Sequence, residues 1–145
     1  LEKFPESAWD KVLDLNLKAP FFVTRAFLPL LEKAASHEDP ARVINIGSIA
    51  GLQPSAARTY SYSTSKAAVH QLTRNLSKEL APRRITVNAV APGPTETELF
   101  RQNNPPGSAG EARYQRDAGD GAACVGAEQA AEGGEGGVIE AERHA

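Results

Sequence analysis

Tyr62 and Lys66 stand four residues apart in the stretch Tyr62-Ser63-Thr64-Ser65-Lys66. On a helix that spacing puts both side chains on one face, one turn apart. An ammonium then lies beside a phenol. A phenol with a pKa of about 10 exchanges protons poorly at neutral pH. A neighbouring cation favours the ionised phenol, so such a pair can pass a proton to or from a substrate oxygen under mild conditions. Taken alone, the pair is better explained as a solvated lysine next to a half-buried tyrosine. The surrounding sequence changes that balance.

The elements that must position the pair can be taken in order. Ser7-Ala8-Trp9-Asp10 has the form of a capping box that opens a helix, with Ser7 at the cap. The apolar positions Trp9, Val12, Leu13, Leu17, Phe21, Phe27, Leu28 and Leu31 then keep helical spacing to about Ala34. Pro20 lacks the N–H that would bond the carbonyl of Asn16, four residues back, so that carbonyl is freed inside a long helix. Either this is a tolerated kink or the carbonyl is available to hold a water. Pro29 does the same to Arg25, where only a kink is expected.

Arg42-Val43-Ile44-Asn45-Ile46 is a β-branched run suited to a strand covered on both faces of a parallel sheet. It ends in Gly47-Ser48. A loop through Gln53-Pro54-Ser55 leads to a helix from about Tyr60 to Leu80, whose buried stripe is Val69, Leu72, Leu76 and Leu80. Pro82 ends it. Ile85-Thr86-Val87-Asn88-Ala89-Val90 is a second buried strand, closed by Ala91-Pro92-Gly93-Pro94. Strand, helix and strand make one right-handed βαβ unit, and ligands of such sheets bind beyond the carboxyl ends of the strands. Ser48, Pro92-Gly93 and the start of the Tyr62 helix all fall at that end.

The remaining totals narrow the class. The chain has 145 residues, 41% hydrophobic and 23% charged, as in ordinary globular proteins. A formal net charge of −2 gives no attraction to nucleic acid or an anionic membrane. No apolar run approaches the roughly 20 residues that span a bilayer, and the first residues do not read as a leader, so a cytoplasmic location is expected. Cys124 is the single cysteine, and His37, His70 and His144 have no metal-ligand spacing. The absence of Met points to a piece that begins mid-protein. From about Arg101 the pattern changes: nine of the twelve glycines lie there, and Val125, Val138 and Ile139 are its only Leu, Ile, Val, Phe or Trp residues. Residues 101–145 are therefore expected to be a disordered or aberrant tail, of the kind a reading-frame error yields, after a unit spanning residues 1–100.

Three further segments complete a pattern with the Tyr62 stretch: Val43-Ile44-Asn45-Ile46-Gly47-Ser48, Val87-Asn88-Ala89-Val90-Ala91-Pro92-Gly93 and, upstream, Leu15-Asn16-Leu17. In this order and spacing they resemble the C-terminal part of the short-chain dehydrogenase/reductase family. Within it they are similar to 3-oxoacyl-(acyl-carrier-protein) reductases of the rhamnolipid type. The resemblance implies a partial Rossmann-type α/β fold, a doubly wound parallel sheet lacking its N-terminal βαβ units. It implies hydride transfer between NADP, or NAD, and a small carbonyl or alcohol substrate. It assigns Tyr62 as the acid/base and Lys66 as the cation that lowers the phenol's pKa and binds the nicotinamide ribose. Ser48 would hold the substrate oxygen, and Asn16 the water that links Lys66 to solvent. Pro92 and Gly93 would border the nicotinamide, and Thr95 and Thr97 would contact the carboxamide or the phosphates. Full-length members are expected to be homo-oligomers.

Some of the family's pattern is missing. The Gly-rich turn that grips a dinucleotide is absent, as is the Asn-Asn-Ala-Gly segment. A sheet with bare edges and uncovered faces follows, and the chain alone is expected to be unstable and inactive. A non-catalytic remnant that serves in dimerisation or another interaction is the alternative. A serine hydrolase using Ser48 and His70 is a poor one. Gly47-Ser48 does not form the strand-to-helix elbow such a nucleophile needs, and no acid is placed to orient the imidazole.

Overall fold

Two parallel strands and the helix between them form the frame of the molecule. A computed structural model describes residues 2–54, 59–95, 97–112 and 123–126. Strand β1 (Ala41–Ile46) pairs in parallel with β2 (Ile85–Ala91), from Ala41 opposite Ile85 to Ile46 opposite Val90. Helix α3, named here in chain order, runs Tyr60–Leu80 between them, with the bounds that the periodicity predicts. A 3-10 turn over Ala81–Arg83, with Pro82 inside it, leads into β2. Arg84 takes the left-handed conformation there, at φ 59°.

The N-terminal helix is continuous in extent but not in type. Helix α1 covers Glu6–Leu13, a π turn covers Asp14–Lys18, and helix α2 covers Ala19–Ala34. The expected Ser7–Asp10 capping box does not form. The helix begins one residue before Ser7, and Pro5 is its cap, with no side-chain cap bond. The Pro5 carbonyl instead accepts the N–H groups of Ala8 and Trp9 at 3.2 and 3.3 Å. Proline's fixed φ presets that entry. Further on, the Ala19 N–H donates to the Asp14 carbonyl, five residues back rather than four. Pro20 has no N–H with which to continue the ladder, and the helix meets it with one widened turn. The Thr24 hydroxyl then donates to the Pro20 carbonyl at 2.8 Å.

The core lies between α3 and one face of the sheet. Leu76, Leu80, Ile85 and Val87 are buried together, and Leu28, Leu31, Val43 and Leu72 pack against them. Asn45 is buried too, and its amide donates to the Thr73 hydroxyl at 2.9 Å. Parity on β1 separates the faces: Val43 and Asn45 turn inward, while Ile44 and Ile46 are 61% and 59% exposed. The expectation that β1 is covered on both faces is not met among the described residues. Phe21 and Phe27, placed by their spacing on the same stripe as Leu28, are also exposed.

Further elements follow β2 among the described residues. Helix α4 covers Glu98–Asn103, and strand β3 (Ala123–Gly126) pairs antiparallel with β2, giving the order β1-β2-β3. From Arg101 on, where the sequence shows no periodicity, the described residues thus include the end of α4, a helical stretch over 109–112 and β3. Residues 113–122 and 127–145 lie outside the described residues. No helix among the described residues is long and apolar enough to cross a membrane.

The two faces of the sheet should respond differently to truncation. Ile85→Ala removes a fully buried side chain and should cost about 2–5 kcal/mol, a large part of a small domain's total. Ile44→Ala should cost almost nothing. Limited proteolysis of the two variants compares them: rapid cleavage of the first and parent-like survival of the second is the expected outcome, and equal survival would contradict this packing.

Candidate active site

The site is built where α3 crosses the carboxyl end of β1. The chain leaves Ile46 through Gly47 and reaches Ser48 in extended conformation, φ −168° and ψ 151°. Both flanks of Ser48 are tied to β2. The Gly47 N–H donates to the Val90 carbonyl at 2.7 Å, and the Ile49 N–H donates to the Pro92 carbonyl at 3.2 Å. A 3-10 turn, Ile49–Gly51, follows, and Ser48 caps it: its hydroxyl oxygen accepts the Ala50 N–H at 3.2 Å. Because Oγ acts there as acceptor, its hydrogen remains to be donated. Ser48 is 8% exposed.

Helix α3 brings the other groups. Tyr62 and Lys66 share a face, and the Lys66 ammonium lies over the Tyr62 ring, 5.6 Å from its centroid. The same ammonium donates to the Ile46 carbonyl at 2.7 Å. Burial pushes the Lys66 ammonium below the ordinary lysine pKa. Tyr62 is 39% exposed, so a molecule from solvent can approach it. Phe4 stacks edge-on against both Trp9 and Tyr60, with centroids 6.5 and 5.8 Å apart, fixing the start of α3.

Asn16 sits in the π turn, and its amide donates to the Ser65 hydroxyl at 3.0 Å. Ser65 in turn donates to the Tyr62 carbonyl at 2.7 Å. Asn16 is thus joined to α3 between Tyr62 and Lys66, through Ser65. Pro92 and Gly93 follow β2 at the same end of the sheet, and both are partly exposed. Thr95 is exposed and its hydroxyl donates to the Gly93 carbonyl at 3.4 Å. Thr97 caps α4, its hydroxyl accepting the Phe100 N–H at 3.1 Å. Ser48, Tyr62, Lys66 and Asn16 are brought to one end of α3, and Thr95 and Thr97 lie beyond the β2 terminus.

Gly51 and His70 also take part in this assembly, the second in a role other than the hydrolase one weighed above. A Cβ on Gly51 would stand 2.6 Å from the backbone of Lys66 and Ala67, so only glycine lets the turn seat against α3. His70 is buried, and its Nε2 pairs with the Ser48 carbonyl at 3.0 Å. That contact is to the backbone and not to the hydroxyl, which removes the arrangement a serine hydrolase would need. A histidine one helical turn beyond Lys66 is the signal that was present.

A model of the short chain dehydrogenase family matches residues 1–107. The rhamnolipids biosynthesis 3-oxoacyl-[acyl-carrier-protein] reductase of Pseudomonas aeruginosa is 48% identical over 101 residues, 70% of this chain and 40% of that protein. The human dehydrogenase/reductase SDR family member 4 is 43% identical over 96 residues, 66% of this chain and 33% of that protein. Among solved structures, the Pseudomonas aeruginosa RhlG/NADP active-site complex superposes with a TM-score of 0.68 at 48% identity, covering 72% of this chain and 42% of that one. The chain therefore spans about two fifths of the length of the first of these relatives.

Gly51→Ala should force α3 away from the Ser48 turn, because backbone cannot yield as a side-chain end can. A loss of about 1–3 kcal/mol is expected, as for other overpacked sites. Urea midpoints measure it with parent and variant segments set in place of the matching 101 residues of the Pseudomonas aeruginosa reductase, and an unchanged midpoint would mean that helix and turn are not seated together.

Proposed function

The chain belongs to the short chain dehydrogenase family, and from that premise we propose that it carries the proton-transfer half of a site that exchanges hydride between NADP, or NAD, and a carbonyl or alcohol. The family is one of oxidoreductases. The observation that carries the reading is the shared placement of Tyr62, its Lys66 cation and a rigidly held Ser48 at the carboxyl ends of β1 and β2.

The residues present fit the nicotinamide-ribose end of a dinucleotide. The Lys66 ammonium and the Tyr62 hydroxyl are within reach of solvent, and Pro92-Gly93 offers backbone at the strand end where such sheets bind ligands. Thr95 adds an exposed hydroxyl, and Thr97 a second whose oxygen already serves as a cap. When bound, the dinucleotide supplies or accepts the hydride. Tyr62 gives its proton to the substrate oxygen as negative charge gathers there, and takes it back in the reverse direction. Lys66 offsets the charge left on the phenolic oxygen. Ser48 donates its free hydroxyl hydrogen to the same substrate oxygen, where charge develops. The Asn16 carbonyl, in the widened turn, holds a water that connects this network with solvent. Reduction of a 3-oxoacyl group is the substrate class favoured by the likeness to the rhamnolipid enzyme. A cytoplasmic setting suits a soluble dinucleotide.

A hybrid tests these roles. Residues of this chain replace the matching 101-residue segment of the Pseudomonas aeruginosa reductase. Tyr62→Phe in the hybrid should lower turnover by about 10²–10⁴-fold, the usual worth of a positioned acid. Dinucleotide binding, followed as quenching of Trp9, should persist. Turnover close to the parent hybrid would sink the assignment.

Among the described residues no Gly-rich turn joins a strand to a helix to receive a pyrophosphate, and the 145-residue chain by itself should neither bind NADPH measurably nor consume it in the presence of a ketone. NADPH oxidation by the purified chain would overturn that expectation. One observation favours a second reading, a piece that acts by association: Leu15, Phe22, Val23, Phe27 and Leu30 are all exposed on the N-terminal helix. A second copy of the chain, or the full-length homo-oligomer, could cover them. The turnover of the hybrid and its loss in the Tyr62→Phe variant separate the catalytic reading from this one.

A further inference from the structure

Resting on the proposed function, the geometry points to His70 as a positioning residue that holds Ser48 where the substrate oxygen must arrive. Three bonds fix Ser48 itself. Two are local: the Ala50 N–H to its hydroxyl oxygen, and the Gly51 N–H to its carbonyl at 3.0 Å. Both belong to a three-residue 3-10 turn, whose hydrogen-bond geometry is poor and which rarely holds on its own. The third comes from 22 residues away, from His70 Nε2 to the same carbonyl. It is the side-chain bond that links Ser48 to the helix bearing Tyr62 and Lys66.

The spacing explains why this residue can do it. His70 lies four residues after Lys66 and eight after Tyr62, so all three sit along one side of α3 in successive turns. The imidazole is 1% exposed and rests directly on Gly47, where any Cβ would overlap Cε1. Gly47 thus makes the room that lets the ring reach the carbonyl. A carbonyl only accepts, so Nε2 carries the hydrogen. Nδ1 has no partner among the described residues. The ring therefore spends its hydrogen bonding on Ser48 alone. A leucine would fill this volume without burying an unpaired nitrogen, which costs free energy. A histidine here is explained by the bond it makes.

Packing filler and positioning group differ in what they do to turnover. In the hybrid reductase, His70→Leu keeps bulk and removes the donor, whereas His70→Gln keeps an N–H donor at the corresponding reach. The expected result is a fall in kcat of about tenfold to a hundredfold for His70→Leu, the range in which a reacting group is misplaced by an ångström or less. KM for the dinucleotide should stay within about twofold, since Ser48 touches substrate and not cofactor. His70→Gln should recover most of the loss. Parent-like kcat in His70→Leu, or equal losses in both variants, overturns the proposal. Where a variant does not fold, nitrogen-15 NMR of the His70 ring in the unsubstituted protein decides: the Nε2–H tautomer is expected, and Nδ1–H overturns the proposal. The Tyr62→Phe hybrid keeps the two claims apart. If it is active, the functional reading itself fails. If it is dead while His70→Leu turns over normally, only the role of His70 falls.

Discussion

The whole arrangement depends on how closely α3 approaches the turn that follows β1. Two glycines set that distance. Gly51 admits the helix backbone at Lys66 and Ala67, and Gly47 admits the His70 ring. Both bracket Ser48, so the residue that must meet a substrate oxygen is pinned between two points of contact with one helix. Bonds from Gly47 and Ile49 to β2 fix the third side. Ser48 is held by backbone at β2 and by side chain and backbone of α3, the two elements that follow it in the same βαβ unit. Precision at such a site requires that support from surrounding elements.

The buried face of α3 shows what that approach demands of a sequence. Its buried residues include Ser61, Ser65, His70, Thr73 and Ser77 beside Val69, Leu76 and Leu80. The apolar members lie toward the C-terminal half, where the core cluster with Ile85 and Val87 forms. The polar members lie mostly toward the site. The short hydroxyl side chains let backbone come near, and those of Ser65 and Thr73 find partners. Thr73 donates to the Val69 carbonyl while accepting from Asn45, and Ser65 donates to the Tyr62 carbonyl while accepting from Asn16. A buried hydroxyl with both roles filled carries little desolvation cost. The helix is therefore anchored by packing at one end and by directed hydrogen bonds at the other, where geometry matters most.

Much of this could be read from the residues alone. The bounds of α3 and the pairing of β1 with β2 follow from periodicity and β-branching, both of which report on the chain's own faces. Ser7 does not cap the helix because Pro5 presets its entry two residues earlier, a backbone effect that competes with any side-chain cap. Pro20 was correctly seen to disturb the helix, yet its form, a π turn upstream of the proline, needed coordinates. Gly47-Ser48 excludes a nucleophile elbow, but nothing local shows that Gly47 and Gly51 face a helix 15 to 23 residues further on. Contacts between distant segments leave no local period in a sequence. His70 can be paired with Ser48 from the sequence only as a poor hydrolase couple, because its bond goes to the carbonyl of a residue on another element.

The position of Lys66 joins the chemistry to the edge of the sheet. Ala41 and Gly47 donate their N–H groups to the Arg84 and Val90 carbonyls, so the odd residues of β1 turn their backbone toward β2. The even residues, Ile46 among them, turn theirs toward the opposite edge, where no strand is described. An unpaired carbonyl on such an edge seeks a donor. The Lys66 ammonium provides it at 2.7 Å. One cation thus satisfies a strand-edge acceptor while lying over the Tyr62 ring. Its partial burial, which depresses its pKa, and its fixed height above Tyr62 share this cause. The carbonyl holds the amine at the end of β1, and helical spacing then sets the phenol beneath it.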